Sequence, residues 1–157
     1  MEYERILILF GTVMGHAEQV AIDLAAALVE QGIAATVYDM EDVDVALCEA
    51  AQDIILCTST YGNGDLPMNA EPFFRALEER EPDLCGVRFA VCALGDRNYD
   101  PFYCAAGDAF TDLFTKLGAA AVVPPFTFDG DPDPDTIADA REWALTFAAE
   151  RYAVEQH

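Results

Sequence analysis

Hydrophobic and polar positions follow two alternating patterns along the chain. Short continuous apolar runs, rich in leucine and β-branched residues, are typical of strands buried on both faces of a sheet. Between them, apolar residues recur three and four positions apart, as at Val20, Leu24 and Leu28, which is helical spacing. Strands are therefore predicted over 5–10, 34–40, 53–59, 87–94 and 119–124. Helices are predicted from Ala17 to Gly32, over 43–50, over 69–80 with Asn69 as N-cap, over 105–118, and from a cap at Asp135 to about Tyr152.

This alternation predicts an α/β fold with a five-stranded parallel sheet and helices on both faces. The absence of repeats or a linker predicts a single domain over 1–157. Ligands of such sheets bind outside the carboxyl ends of the strands, at the topological switch point. The loops after strands one, three and four are the least ordinary segments of the chain: GTVMGHAE (11–18), TYGNGDLPMN (60–69) and GDRNYDPFYC (95–104). We therefore expect these three loops to form the functional site.

The first loop lacks the residues that three common phosphate chemistries need. A Walker A loop requires a lysine after its second glycine, and a dinucleotide fingerprint requires a third glycine. A phosphoacceptor receiver domain needs an aspartate at the end of the third strand, where Cys57, Thr58 and Ser59 stand. The remaining interpretation uses backbone N–H groups at the start of a helix, with Thr12 as a hydroxyl donor and Gly15 allowing close approach.

The other two loops each carry an aromatic residue beside glycine or polar positions. Tyr61 precedes Gly62 and Gly64 after the third strand, and Tyr99 lies in the loop after the fourth. Two tyrosines on neighbouring loops can enclose a flat ring, while backbone groups reach its polar edges. The pattern thus indicates a ligand with both a ring and an anionic group.

The net charge of the chain argues against some classes of binding partner. The chain has 29 acidic and eight basic residues, a formal net charge of −21, and Lys116 as its single lysine. Such a surface repels nucleic acid and anionic lipid. Two explanations stay open and are compatible: docking of a basic partner, or adaptation of the surface to high salt.

The cysteine pattern bears on the compartment. Five cysteines without a CxxC pair, mostly in apolar runs, are typical of buried reduced thiols in a cytosol rather than of disulfides or a metal site. No apolar stretch is long enough to cross a bilayer, and MEYER has no signal-peptide character. We therefore expect a cytoplasmic protein without a metal.

The three loops, in order and spacing from about Ile6 to Trp143, resemble the FMN-binding loops of the flavodoxin family. The motifs GTVMGHAE, STYGNGDLPMN and GDRNYDPF are most similar to those of small stand-alone MioC-type flavodoxins. They also resemble the FMN domains of cytochrome P450 reductase and sulfite reductase. The resemblance implies a flavodoxin-like fold of the short-chain type and FMN as cofactor.

Carried over by position, the resemblance implies three groups of cofactor-binding residues and no catalytic residue. The FMN phosphate would be held by Thr12, Val13, Met14, Gly15, His16 and Ala17. One face of the ring and its N5 edge would be lined by Thr60, Tyr61, Gly62, Asn63 and Gly64. The other face and the pyrimidine side would be lined by Leu94, Gly95, Asp96, Asn98, Tyr99, Phe102 and Tyr103. The His16 side chain would either face the phosphate or point to solvent, with only its N–H used. Met14 and His16 stand where many relatives carry hydroxyl residues, so the loop has fewer side-chain donors than is usual.

Two functions from different classes fit these residues. The first is a low-potential one-electron carrier between a reductase and an acceptor enzyme, acting as a monomer. An acidic wall near the ring disfavours adding negative charge to it, which suits a low potential. The alternative is an FMN-dependent NAD(P)H quinone or nitro reductase, for which the nearby basic groups are limited to Arg97 and His16. A binding module of the same fold without flavin would leave the tyrosines and glycines of the loops without a purpose.

Overall fold

Parallel strands and covering helices make up the part of the chain that the computed structural model describes, residues 5–12, 15–60, 65–95 and 104–155. The strands are β1 (Arg5–Gly11), β2 (Ala34–Asp39), β3 (Asp53–Ser59), β4 (Arg88–Gly95), β5 (Ala120–Ala121) and β6 (Phe126–Asp129). The helices are α1 (His16–Glu30), α2 (Val45–Ala50), α3 (Glu71–Arg80), α4 (Ala105–Lys116) and α5 (Pro134–Glu155), with a short 3₁₀ helix at Met40–Asp42.

The sheet runs in the order β2-β1-β3-β4-β5, and every strand pair in it is parallel. The chain leaves β1 towards β2 on one side and continues with β3 on the other. The gap between β1 and β3 is therefore the point where the direction of winding reverses, at which open α/β sheets bind their ligands. The carboxyl ends of β1, β3 and β4 lie side by side there, since Gly11 pairs with Thr58 and Ser59 pairs with Leu94.

Side chains alternate between two cores, one on each face of the sheet. Leu7 and Leu9 of β1 pack with α2, α3 and α4, whereas Ile6, Ile8 and Phe10 pack with α1 and α5. The same alternation continues in β3 and β4, which is the period-2 geometry of a strand. Because both faces are covered, these strands read as unbroken apolar runs, and the predicted doubly covered parallel sheet is confirmed.

The predicted fifth strand, 119–124, is wrong in its extent. Two short strands, β5 and β6, instead occupy the edge position, and both pair with β4. Ala120 is opposite Arg88 and Phe126 is opposite Cys92, so the edge advances six residues while β4 advances four. Pro124 and Pro125 lie in this bulged interval, and a proline cannot donate to a strand ladder.

Two predicted helix caps are also wrong. The cap of α5 is Asp133, whose Oδ1 accepts the Thr136 N–H at 2.8 Å, so the helix begins at Pro134 and not after Asp135. Proline suits the first helical position, since its missing N–H would have no partner inside the helix. Helix α3 begins at Glu71, two residues beyond the predicted cap Asn69, and its N-cap residue Ala70 makes no side-chain cap.

The cysteines are all free, and four of them, Cys48, Cys57, Cys92 and Cys104, are buried. Burial, assisted by Glu49 and Asp44, raises the pKa of Cys48 to about 12. A hydrogen bond with the Cys57 thiol, and then burial, raises the pKa of Cys92 well above its ordinary value. These two groups therefore stay protonated near neutral pH and do not act as nucleophiles. Among the described residues, no helix is long and apolar enough to cross a membrane.

Candidate functional site

The N-terminus of α1 is built to receive an anion. Gly15, the N-cap residue, has φ 88°, a left-handed conformation that favours glycine, and no side chain caps the helix there. The first N–H groups of a helix have no partner inside it, and the helix dipole makes this end positive. Within the described residues, the N–H groups of His16, Ala17 and Glu18 are therefore available to a ligand at the switch point of the sheet.

Thr12, the first residue after β1, closes the turn that leads into α1. Its Oγ1 accepts the Gly15 N–H at 2.9 Å. An oxygen that accepts one N–H still carries its own hydroxyl proton, which can be donated to an anion. The backbone N–H of Thr12 donates to Oδ1 of Asn69 at 2.8 Å. The Thr12 hydroxyl and the α1 amides thus fit a phosphate group, with no lysine or arginine required.

His16 lies near an acidic residue of the loop before α5. Its Nδ1 is 3.6 Å from Oδ1 of Asp131, and the two side chains are 46% and 88% exposed. Both side chains are largely exposed, so this contact contributes little to stability. The two orientations expected from the sequence, towards the phosphate or towards solvent, stay predictions.

Thr60 ties the ends of β3 and β4 to the start of α4. Its N–H donates to the Leu94 carbonyl at 2.9 Å, and its Oγ1 accepts the Ala106 N–H at 3.2 Å. The hydroxyl thus supplies the N-terminal cap that Cys104, at φ 56°, does not provide. This arrangement connects the carboxyl ends of β3 and β4 with the first turn of α4.

Two glycines let helices approach the site end of the sheet. A Cβ on Gly11 would lie 2.8 Å from the Cβ of Ala70, and a Cβ on Gly107 would lie 2.6 Å from that of Ala93. Real Cβ atoms do not come so close, so both positions require glycine unless the helices move. These contacts fix the start of α3 against β1 and the first turn of α4 against β4.

The described members of the predicted site lie together along one edge of the sheet. Thr12 and Gly15 to Ala17 are at the β1–α1 junction, and Thr60, Leu94 and Gly95 are at the ends of β3 and β4. The side chains of Ala17 and Leu94 are buried in the core, so these two residues offer the site only backbone groups. The other predicted site residues lie outside the described residues and stay predictions: Val13, Met14, Tyr61, Gly62, Asn63, Gly64, Asp96, Asn98, Tyr99, Phe102 and Tyr103.

Three polar residues that were not predicted from the sequence also lie next to the site: Asn69, Asp39 and Asp131. Asn69 donates from Nδ2 to Oδ1 of Asp39 at 2.9 Å while it accepts from Thr12. Its place in the motif STYGNGDLPMN was visible, but the nearness of a helix start favoured a capping role. Asp39, as the last residue of β2, could have been placed at this edge by topology alone.

Known proteins match this chain over most of its length. The family model described as Flavodoxin matches residues 8–143. The chain belongs to the flavodoxin family. Proteins of this family bind FMN. The predicted family, fold class and cofactor are therefore confirmed.

The relatives include small proteins of similar length and much longer proteins that match only in part. Protein MioC of Escherichia coli K12 is 39% identical over 117 residues, which cover 73% of this chain and 76% of MioC. NADPH oxidoreductase A of Dictyostelium discoideum is 41% identical over 116 residues, 73% of this chain but only 18% of that protein. The solved structure of a cysteine-to-serine mutant of flavodoxin from Pseudomonas aeruginosa has a TM-score of 0.83 and 31% identity, over 93% of this chain and 97% of that one. The predicted likeness to sulfite reductase and cytochrome P450 reductase is likewise confirmed, since the sequence matches both.

Proposed function

We propose that the chain is a low-potential one-electron carrier that binds FMN at the carboxyl ends of β1, β3 and β4. Its electrons come from a reductase and pass to an acceptor enzyme. The observation that carries this proposal is the uncapped N-terminus of α1 beside the Thr12 hydroxyl, at the switch point of a flavodoxin sheet. When bound, FMN supplies a ring that takes up and releases single electrons.

The phosphate end of the site is proposed to use neutral donors alone. The amides of His16 and Ala17 and the hydroxyl of Thr12 bind the dianion, together with Val13 and Met14 of the same loop. Tyr61 and Tyr99 are proposed to cover the two faces of the ring, and the loops 60–64 and 94–103 its edges. Thr60 accepts the Ala106 N–H through its Oγ1, and its hydroxyl proton is proposed to be available to the N5 edge of the ring.

Acidic residues surround this site and favour a low potential. Asp39 ends β2, Asp129 ends β6 opposite Gly95, and Asp131 follows. Reduction adds negative charge to the ring, which nearby carboxylates disfavour. Asp129 and Asp131 are exposed, so their effect on the potential weakens as salt rises.

A groove next to the third-strand loop is the proposed docking face for a basic redox partner. It has a volume of about 750 Å³, and its apolar lining is Leu66, Phe74 and Met68, the last of which is 83% exposed. Asp65, Glu71, Glu78 and Glu79 supply its acidic lining, while Arg75 is paired with Glu71 at 2.6 Å. An apolar centre with an acidic rim fits a partner that presents lysines or arginines around an apolar patch.

This docking face can be tested against an equal loss of charge elsewhere. We expect E78Q/E79Q to slow electron transfer to a basic acceptor protein, such as cytochrome c, by a factor of several at low salt. The control D139N/E142Q removes two exposed charges from α5, on the opposite face of the sheet. Equal rates for the two double variants would mean that overall charge, and not this groove, governs docking.

The remaining parts of the proposal concern organisation and compartment. The stretch 1–157 is proposed to act as one monomeric domain in the cytoplasm, with the nicotinamide-binding component supplied by a reductase. The acidic surface is proposed to serve high-salt conditions as well as docking, because aspartate and glutamate are spread along the whole chain.

One titration separates the carrier from the alternative NAD(P)H quinone or nitro reductase. The purified protein is reconstituted with FMN, mixed anaerobically with NADPH or NADH, and followed by its visible spectrum. A carrier keeps its flavin oxidised until a catalytic amount of a flavodoxin reductase is added. In a separate sample without NAD(P)H, dithionite reduces the flavin in two one-electron steps. Rapid bleaching by NAD(P)H alone would refute the carrier and favour the enzyme. A protein that binds no FMN would refute both.

A further inference from the structure

Asn69 connects three segments that are far apart in the sequence. Its side chain is half-buried in the turn before α3, and it reaches both the residue after β1 and the last residue of β2. We propose that Asn69 is the positioning residue of the phosphate-binding loop, acting through Thr12. This role rests on the proposed function, because it assumes that the loop binds the phosphate of FMN.

The contacts form an unbroken chain from β2 to the N-terminus of α1. Oδ1 of Asp39 accepts the Glu41 N–H at 2.8 Å and the Asn69 Nδ2–H at 2.9 Å, and Oδ1 of Asn69 accepts the Thr12 N–H at 2.8 Å. The Thr12 hydroxyl oxygen then accepts the Gly15 N–H at 2.9 Å. These bonds fix the position of Gly15 relative to β2 and to the turn before α3. They thereby also fix the direction of the first α1 amides.

The amide group of asparagine suits both neighbours of residue 69. Thr12 offers an N–H, which can only donate, and the ionised Asp39 carboxylate can only accept. The side chain between them must therefore present an acceptor on one side and a donor on the other, which also fixes which way the amide points. An aspartate at 69 would still accept from Thr12 but would place a second negative charge against Asp39.

Packing leaves the turn that carries Asn69 little freedom to move. The Cβ atom that Gly11 lacks would lie only 2.8 Å from Ala70, the residue after Asn69. The turn that carries Asn69 is therefore pressed against the end of β1, directly before Thr12. A side chain on such a fixed turn positions the loop more closely than one on a free loop.

The hydrogen bond between Thr12 and Asn69 also determines which groups of the loop can donate to the phosphate. Because the Thr12 N–H already bonds to Asn69, Thr12 serves the phosphate through its hydroxyl and not through its backbone amide. The amides that remain for the anion come from later positions of the loop and from the first turn of α1. The affinity for phosphate then depends on a residue, Asn69, that does not itself contact it.

A comparison of FMN with riboflavin isolates this effect, since riboflavin has the same ring but no phosphate. For N69A we expect FMN to bind about tenfold more weakly than to wild type, as for the loss of one hydrogen-bonded contact, while riboflavin affinity changes less than about twofold. The control D44A removes a side-chain cap of the Ala46 N–H, at the start of α2 and away from the loop. We expect D44A to lower the melting temperature by an amount similar to N69A, without a change in the ratio of the two affinities.

A second pair of variants tests the charge pattern at the same contact. N69D should lose FMN affinity selectively, because it sets two carboxylates against each other, and N69D/D39N should regain the part that this repulsion removed, although the oxygen at position 39 still accepts the Glu41 N–H. This pair also decides the matter if N69A does not fold. A double variant no better than N69D would overturn the proposal.

The outcomes separate this inference from the function on which it rests. Equal losses of FMN and riboflavin affinity in N69A would overturn the positioning role, while the proposed FMN site would stand. Wild-type protein that binds riboflavin as tightly as FMN would overturn the phosphate site, and the role of Asn69 with it.

Discussion

Two glycines in the same backbone conformation mark the two ends of α1, and only one of them faces the proposed phosphate. Gly15 has φ 88° and Gly32 has φ 80°, and a Cβ at either would meet nothing within 4 Å. A non-glycine residue in the left-handed region costs about 1–2 kcal/mol. Gly15→Ala and Gly32→Ala should therefore lower the free energy of unfolding by similar amounts, each about 1–2 kcal/mol.

Their effects on FMN binding should differ. The turn at Gly15 is closed by its N–H bond to the Thr12 hydroxyl, worth about 1 kcal/mol, which is no larger than the new strain. Without FMN, the loop of Gly15→Ala can relax by breaking the bond between the N–H of residue 15 and the Thr12 hydroxyl. Binding FMN must then restore the strained conformation, which costs binding free energy. FMN should consequently bind about 5- to 30-fold more weakly to Gly15→Ala, whereas Gly32→Ala should bind it as wild type does.

Urea unfolding of the apoproteins measures the first quantity, and quenching of FMN fluorescence on titration measures the second. Gly32→Ala is the control, since it carries the same strain in the same helix about 15 residues away from the loop. An FMN affinity of Gly15→Ala within twofold of that of Gly32→Ala would refute the assignment of this turn to the phosphate. A Gly15→Ala protein as stable as wild type would show instead that the turn does not need a left-handed residue.

Three further predictions concern charge, the ring and pH. With 29 acidic and eight basic residues, the melting temperature should keep rising from dilute buffer to beyond 0.5 M KCl, because the Debye length falls from about 30 Å at 0.01 M to about 3 Å at 1 M; a flat curve would remove the salt-adaptation explanation and leave docking. Tyr99→Ala should bind FMN about tenfold more weakly and shift its potentials, since aromatic stacking is worth about 0.5–1.5 kcal/mol beyond buried area; an unchanged affinity and spectrum would place this ring away from the flavin. Hydrogen bonds from the backbone and side chain of Thr136 hold the pKa of Asp133 below its ordinary value, so its contribution to stability is present above about pH 4 and is lost as the pH falls further. Urea unfolding of wild type and D133A should therefore show a difference at pH 7 that shrinks towards pH 2.5, and a difference independent of pH would contradict the ionised cap.

The central sheet and its covering were decided largely by the sequence itself. β3 was predicted with its observed limits, and β1, β2 and β4 each to within one residue, because a strand buried on both faces must be an unbroken apolar run. The location of the site followed from topology, since parallel strands bring the loops after β1, β3 and β4 to one edge. These features depend on local composition and on the order of elements, both of which can be read along the chain.

The tertiary structure alone decided what individual polar side chains do at that edge. Asn69 looked like a helix cap, and only the approach of α3 to Gly11 placed its amide between Thr12 and Asp39. The contact of His16 with Asp131, and the cap that Thr60 gives to α4 across 46 residues in sequence, were likewise not visible along the chain. The edge strand is divided at its two prolines, which cannot donate to the ladder with β4. A hydrogen bond depends on positions good to a fraction of an ångström, and residues distant in sequence acquire such positions only when the helices pack on the sheet.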